Sequence, residues 1–332
     1  MRMTVLASGS KGNSTVISSS RTRVLVDAGL SCRELLRRMA IAGEDPSALD
    51  AILITHEHQD HVAGLAVLAR KLRIPVFFTE PTHRAWVRML TPRSTMSYAK
   101  WLDHLQQEKE ARAAAIALET ANEFAEEPAL RSDDPNAVLE LPVDPDACDS
   151  DAVETLPVAA KADPTFLPSV EYFRAGTNFS IGDIDITPFT IPHDAADPCG
   201  FVFQAEGIRM ALATDLGYMP PNVKQAIAKS DVLLLESNHD LEMLRDGPYP
   251  WSVKQRVLSR VGHLSNNATA EYLAKDYDGG AQYIVLGHLS ESNNMPEIAL
   301  VSAKQAIGNR MSLLGNRILL AAQSEPLESI CL

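Results

Sequence analysis

Three imidazoles and two carboxylates fall within six consecutive residues of this chain, His56-Glu57-His58-Gln59-Asp60-His61. Imidazole and carboxylate groups are the usual ligands of zinc and of harder divalent ions. The run follows Ala51-Ile-Leu-Ile-Thr55, a short apolar stretch suited to a buried strand. A strand that ends in a tight loop aims alternate side chains at one point, so this spacing favours a metal site over three separate core histidines. Further ligand-type residues stand just past other apolar runs: His193 after residues 184–192, Asp215 after 210–214 and His288 after 284–287. Singly, each reads as a turn or cap residue. Taken with the His-rich loop, they supply the ligands that a dinuclear centre needs.

Such a centre requires strands that open toward one cleft. Residues 4–7, 15–18 and 23–27 read as strands separated by Gly, Ser and Asn turns. Ser31 and Glu34 form a capping box ahead of Leu35, Leu36 and Met39, which predicts a helix start. Helical spacing runs over 61–72, and 75–78 reads as another strand. Later strands are expected at 171–173, 179–181, 184–189, 200–204 and 209–213, in quick succession. Those at 232–236, 284–287 and 317–321 are separated by helices such as 268–275 and 296–307. Both halves run strands first and helices later. That layout predicts one domain, 1–332, of two packed sheets with helices outside.

Of the 332 residues 45% are apolar and 22% charged, which excludes a fibrous or wholly disordered chain. No apolar run approaches the ~20 residues that cross a bilayer, and residues 1–10 lack the apolar stretch of a signal peptide. Cys32, Cys148, Cys199 and Cys331 are scattered, as free thiols are, without Cys-x-x-Cys pairing. A cytoplasmic enzyme with no membrane partner is the expectation. The net charge of −13 is concentrated in one segment: residues 103–165 hold 16 acidic and 4 basic side chains, against 27 and 26 elsewhere. That segment begins as an Ala/Glu-rich helix at 108–127 and continues through Pro128, Pro135, Pro142 and Pro145. It reads as an acidic insertion, part helix and part solvated excursion.

His56-x-His58-x-Asp60-His61, followed by the isolated His193, Asp215 and His288, resembles the metallo-β-lactamase superfamily. Within it, Leu6-Ala-Ser-Gly-Ser-Lys-Gly-Asn-Ser-Thr15 resembles the YycJ/WalJ subfamily. So do Glu236-Ser-Asn-His-Asp240, Gly262-His-Leu-Ser-Asn-Asn267 and Gly287-His-Leu-Ser290 with Asn293-Asn294. The likeness spans the chain apart from the acidic insertion, which departs from the family pattern. It implies an α/β fold, a four-layer αββα sandwich, with a two-metal site at one edge of the sheets. It also implies a metal-dependent DNA exonuclease related to the tRNase Z and phosphonate phosphodiesterase groups. By the same resemblance His56, His58 and His193 hold one metal, Asp60, His61 and His288 the second, and Asp215 bridges them. Asp27, at the end of Val24-Leu-Val-Asp27, matches the family's first motif as a carboxylate partner that steadies the ligand loop. A simple strand-end turn residue is the alternative reading, only slightly less favoured.

Two cations about 3.5–4 Å apart lower the pKa of a shared water and yield hydroxide at neutral pH, which can attack phosphorus in line. The leaving oxygen then needs a proton. His263 is the candidate donor, since Gly262-His-Leu-Ser-Asn-Asn267 precedes a helix and a histidine in a similar Gly-His-Ser-Thr setting has that role in tRNase Z. The expected catalytic set is therefore His263, Asp60 and Asp215. Ser265, Asn266 and Asn267 either cap the helix or meet a phosphate at its free amides, while Glu236 and His239 orient His263 or line the substrate groove. Zinc and manganese both suit the ligand set.

The expected activity is a phosphodiesterase, a 5′-to-3′ DNA exonuclease with DNA ahead of RNA as partner. Small cyclic phosphodiesters and RNA remain alternatives, because the metal site does not distinguish chain length. A lactamase is normally exported, and a non-catalytic module would have lost ligands, whereas none of the seven is missing. Arg33, Arg37, Arg38, Arg70, Lys71 and Arg73, with Lys254, Arg256 and Arg260, either flank a nucleic-acid cleft or form solvated helix faces.

Overall fold

The computed structural model describes residues 1–91, 163–308 and 315–332. The helix expected at 108–127 and all of the acidic insertion up to residue 162 lie outside them, as does Cys148. Among the described cysteines, Cys32, Cys199 and Cys331 are free thiols. Met1–Thr91 and Asp163–Leu332 cluster as one unit.

Fourteen strands among the described residues make two seven-stranded sheets. The first sheet contains β1 (Arg2–Ala7), β2 (Ser14–Ser18), β3 (Arg23–Val26), β4 (Ala51–Leu53), β5 (Val76–Phe78) and β6 (Val170–Tyr172) in that order. The last strand of the chain, β14 (Ile330–Cys331), adds to the outer side of β1. The second sheet runs β7 (Phe179–Ile181), β8 (Ile184–Thr190), β9 (Cys199–Ala205), β10 (Ile208–Ala213), β11 (Val232–Glu236), β12 (Tyr283–Gly287) and β13 (Arg317–Leu320). Strands β3 to β6 pair parallel, as do β10 to β13, and the remaining pairs are antiparallel.

Alternation along each strand sorts the core into layers. Val5, Val24, Val26 and Leu53 of the first sheet meet Phe201, Phe203, Met210 and Leu234 of the second in one buried cluster. Their neighbours Leu6, Leu25 and Ile52 point the other way. They pack with Leu35 and Met39 of α1 (Cys32–Ile41), Leu68 of α3 (Leu65–Leu72) and Trp86 of α4 (Glu80–Leu90). On the far side, Ala211, Leu233 and Leu286 pack with Val223 of α5 (Pro221–Ile227), Leu273 of α8 (Asn266–Lys275) and Ala303 of α9 (Pro296–Ile307). The order is helix, sheet, sheet, helix. Both faces of the central strands are covered, so they read as continuous apolar runs, and each large aliphatic or Phe side chain so buried contributes about 1.5–3 kcal/mol.

Two local expectations need correction. Ser31 does cap α1, accepting from the Glu34 amide, but the reciprocal half of the capping box is absent because the Glu34 carboxylate pairs with Arg37 and Arg38. The helix expected over 61–72 is two pieces, α2 (Gln59–Val62) and α3, joined through Gly64. A Cβ at Gly64 would lie 2.1 Å from the Leu30 carbonyl oxygen, so the chain bends where only glycine fits.

Candidate metal centre

Three of the strands end by turning into the left-handed region at a polar residue. Asp27 follows β3 with φ +61°, Asp215 lies past β10 with φ +62°, and His288 follows β12 with φ +54°. An L-residue pays about 1–2 kcal/mol for that conformation, and such strain gathers where side-chain direction matters. The ligand loop starts three residues after the end of β4, with His58 at the N-cap of α2 and Asp60 and His61 on it. It is pinned from below by the Asn13 amide, which donates to the Asp60 carbonyl at 2.7 Å, and by the Ala28 amide, which donates to that of His61 at 2.8 Å. A Cβ on Gly29 would lie 1.6 Å from the Asp60 carbonyl oxygen, so only glycine allows this approach.

In each of five histidines one ring nitrogen is engaged at the periphery, and that fixes where the other points. His61 Nδ1 donates to Asp27 Oδ2 (2.8 Å) and His288 Nδ1 to Glu236 Oε1 (2.9 Å). His193 Nδ1 donates to the Gly262 carbonyl (3.1 Å), and His58 Nε2 to that of Asp194 (3.2 Å). The Thr55 hydroxyl donates to Asp27 and lies 3.0 Å from His56 Nδ1. The opposite nitrogens converge. Ligand atoms of His56, His58 and His193 lie within 4.8 Å of one another, as do those of His56, His61 and Asp215, and those of Asp60, His61 and His288. His61 Nε2 is 3.5 Å from Asp215 Oδ2, and His288 Nε2 is 3.7 Å from Asp60 Oδ2.

Buried within this cluster, His56 Nε2, Asp215 Oδ2 and His288 Nε2 have no hydrogen-bond partner. Leaving buried polar atoms unpaired costs about 1–3 kcal/mol each, and the donor set of imidazole nitrogens and carboxylate oxygens matches divalent cations. The residues present fit divalent metal binding.

Electrostatics support the same grouping. Burial opposes charge on His61, yet the carboxylates of Asp27, Asp215 and Asp60 outweigh it and lift its pKa to about 9. His288 is likewise raised well above the ordinary value, against its burial, by Asp215, Asp60 and Glu236. In return, His61 and His288 overcome burial and hold the Asp60 carboxyl below its usual range. His56, desolvated and ringed by other imidazoles, is pushed well down. Burial raises Asp27 despite its contact with His61.

His263 stands beside this cluster with its Nδ1 2.7 Å from Glu236 Oε1. The other oxygen of Glu236 accepts from the Leu216 amide at 2.6 Å and the Leu264 amide at 3.2 Å. His263 lines a 260 Å³ cavity together with His58, Asp60, Asp215 and His288.

Other expected substrate residues sit elsewhere. Ser265 is the N-cap of α8 and accepts from the Ala268 amide. Asn266 is buried, accepting from Ser237 Oγ and donating to Asn294 Oδ1, and Asn267 is exposed. None of the three lines the cavity, so capping accounts for Ser265 and loop bracing for Asn266. His239 is buried with neither ring nitrogen hydrogen-bonded, and burial lowers its pKa to about 4. It neither orients His263 by a hydrogen bond nor lines the cavity.

The basic clusters also divide. Arg38 is buried and donates to the carbonyls of Leu6 and Gln323, and Arg70 donates to that of Asp163. Arg256 lines the cavity. Residues that the sequence reading gave no role include Asn13, whose amide nitrogen lies 3.0 Å from His61 Nε2 and 3.2 Å from Asp60 Oδ2. Ser10, Asn238, Ser290 and Asn293 line the cavity too. The only sequence signal for them is their presence within the Gly/Ser/Asn-rich segments.

The sequence signature of the metallo-beta-lactamase superfamily matches residues 7–246. The exodeoxyribonuclease WalJ of Streptococcus pneumoniae serotype 2 is 32% identical over 298 residues, covering 90% of this chain and 85% of that one. The exodeoxyribonuclease YycJ of Bacillus anthracis is 32% identical over 307 residues, covering 92% and 89%. Zn(2+)-bound PqqB from Methylobacterium extorquens superposes with a TM-score of 0.58 over the whole of both chains at 16% identity, a likeness of fold.

Proposed function

Since the chain belongs to the metallo-beta-lactamase superfamily, we propose that it is a two-metal phosphodiesterase that degrades DNA as an exonuclease, in the 5′-to-3′ direction. His56, His58 and His193 would hold one ion, Asp60, His61 and His288 the other, with Asp215 shared. When bound, two zinc or manganese ions supply Lewis-acid charge and a nucleophile at neutral pH.

The remaining work falls to side chains of this chain. Glu236 Oε1 receives Nδ1–H of both His263 and His288, so one buried carboxylate orients a ligand and the candidate acid together. With Nδ1 so engaged, Nε2 is the atom of His263 that can pass a proton to the leaving oxygen. The Glu236 carboxylate at Nδ1 holds the ring in the one orientation that leaves Nε2 free for that transfer. Asp27 and Thr55 fix the rotation of His61 and His56, keeping their Nε2 atoms directed inward.

The observation that carries this reading is the His263–Glu236 pair beside a complete ligand set, which a non-catalytic module does not need. Support for DNA as substrate comes from the two relatives named as exodeoxyribonucleases, each matched over about nine-tenths of this chain. No helix among the described residues is long and apolar enough to cross a membrane.

The decisive assay supplies purified protein with Mn²⁺ or Zn²⁺ and offers 5′- and 3′-labelled DNA and RNA, single- and double-stranded. Early release of the 5′ label from DNA, abolished by chelator, is the expected result. Hydrolysis of small cyclic phosphodiesters without attack on DNA would overturn the nuclease assignment in favour of its alternative.

A further inference from the structure

Resting on the phosphodiesterase reading above, we propose that Tyr249 and Arg256 form the subsite for the single nucleotide being removed, Arg256 gripping the phosphate under attack and Tyr249 stacking on that nucleotide's base. The cavity beside the ligands measures 260 Å³. That lies just below the ~300–1,000 Å³ usual for small-molecule sites and gives room for one nucleotide unit.

Its lining is of two kinds. Ser10, Asn238, Ser290 and Asn293 contribute neutral polar groups to the lining, while Tyr249, Val253 and Val257, from one segment of the chain, contribute a ring and apolar surface. A nucleotide also combines two kinds of surface, a hydrogen-bonding sugar-phosphate edge and a flat base.

Arg256, on α7 (Trp251–Val257), is the only lysine or arginine lining the cavity among the described residues. Its Nε donates to Asp194 Oδ2 at 2.5 Å, on the residue next to His193. Its two terminal nitrogens make no hydrogen bond among the described residues. The Asp194 contact therefore parks a guanidinium beside the ligands with a pair of donors to spare, the geometry that phosphate oxygens accept. Tyr249 lies between Pro248 and Pro250. The following proline confines its backbone to extended conformations, which narrows the directions the side chain can take. Its hydroxyl has no partner among the described residues. Stacking on such a ring is indifferent to base identity, as an exonuclease requires.

The test compares kcat/KM for a single-stranded oligodeoxynucleotide with that for methyl 4-nitrophenyl phosphate, which has a phosphodiester but no nucleobase. Tyr249→Ala is expected to lower the ratio of the two by about 10- to 100-fold, through KM. Tyr249→Phe, which keeps the ring, is expected to restore it. Arg256→Met is expected to lower both rates together, with Arg256→Lys recovering part, since both substrates carry the phosphate. Wild-type product is expected to be mononucleotide. If Tyr249→Ala reduces both substrates equally, Tyr249 is merely structural and the subsite assignment is overturned. If Trp251→Ala, two residues beyond Tyr249 at the start of α7 and outside the cavity, lowers the ratio as much, the base contact lies elsewhere and the assignment fails. Wild-type protein inactive on both substrates would sink the phosphodiesterase reading itself.

Discussion

The Glu236 carboxylate reaches His263 at 2.7 Å through the oxygen that also meets His288, while its other oxygen is held by two backbone amides. A residue so fixed cannot swing away when its partner gains or loses a proton. His263 thus has a counter-ion of constant position, and the pair can be separated experimentally from the metal ligands around it.

His263→Ala is expected to keep bound metal and the fold while lowering the rate on DNA by about 10²–10⁴, the range of a positioned general acid. The loss should shrink for a nitrophenyl phosphodiester, whose leaving group departs without a proton. His288→Ala should instead reduce metal occupancy and slow both substrates alike. Metal analysis of the two variants, with rates on both substrates, checks this; metal loss in His263→Ala would remove the distinction.

Glu236→Gln tests the shared carboxylate. An amide cannot accept on both sides, so its NH₂ must face either two imidazole donors or two backbone donors. Expected outcomes are about 10- to 100-fold weaker metal affinity, through His288, and a lower melting temperature. Competition with a chromogenic chelator reads the first and calorimetry the second. Unchanged values for both would show that Glu236 carries no such duty.

The fold's layers are legible in the sequence because central strands such as Val232–Glu236 are buried on both faces and stand out as apolar runs. The ligand residues are legible because imidazole and carboxylate at strand ends have few other uses in such density. What escapes is whatever depends on a precise close approach. The break at Gly64 depends on the Leu30 carbonyl, and Asn13 reaches the His61 ring only because a Gly/Ser loop folds over it. Helices α6 (Leu241–Asp246) and α7 are too short, at six and seven residues, to print a period, so Tyr249 and Arg256 could not be placed beside the ligands. His239 shows the converse: a histidine within a recognisable motif can serve through its carbonyl, which accepts from the Asn266 amide, while its buried ring makes no hydrogen bond.

Proton counts follow from the electrostatics. His61 titrates near 9 in the metal-free protein, and His288 is also raised, so both are charged at pH 7. A group whose pKa rises on folding stabilises the fold below its unfolded value and loses that contribution as pH climbs through the folded one. The metal-free protein should therefore lose stability between pH 6.5 and about 9 from His61. Metal binding needs both rings neutral at Nε2 and so should release more than one proton at pH 7. Titration calorimetry in buffers of different ionisation heat measures the number, which should fall as pH passes about 9 and His61 no longer has a proton to release. Release of none at pH 7 contradicts the assignment.

Replacing residues 92–162 with a short Gly/Ser linker is expected to leave a folded protein that binds metal. Met1–Thr91 and Asp163–Leu332 already cluster as one unit, and the excised stretch holds most of the acidic and proline-rich sequence. The cut stops before Asp163 because its carbonyl accepts from Arg70, and Leu167 is buried. Circular dichroism and metal stoichiometry decide; an insoluble product would show that the segment contributes to the core.

The ligand loop follows a strand of the first sheet, while His193, Asp215 and His288 all follow strands of the second. During synthesis the chain therefore emerges with part of its ligand set long before the rest. Residues 56–61 are complete while His288 is still in the ribosome, and no prefix that stops short of β12 can close the site. On the proposed ligand assignment, a copy whose translation is interrupted before β12 lacks His288 and is expected to leave the ribosome without a complete two-metal site.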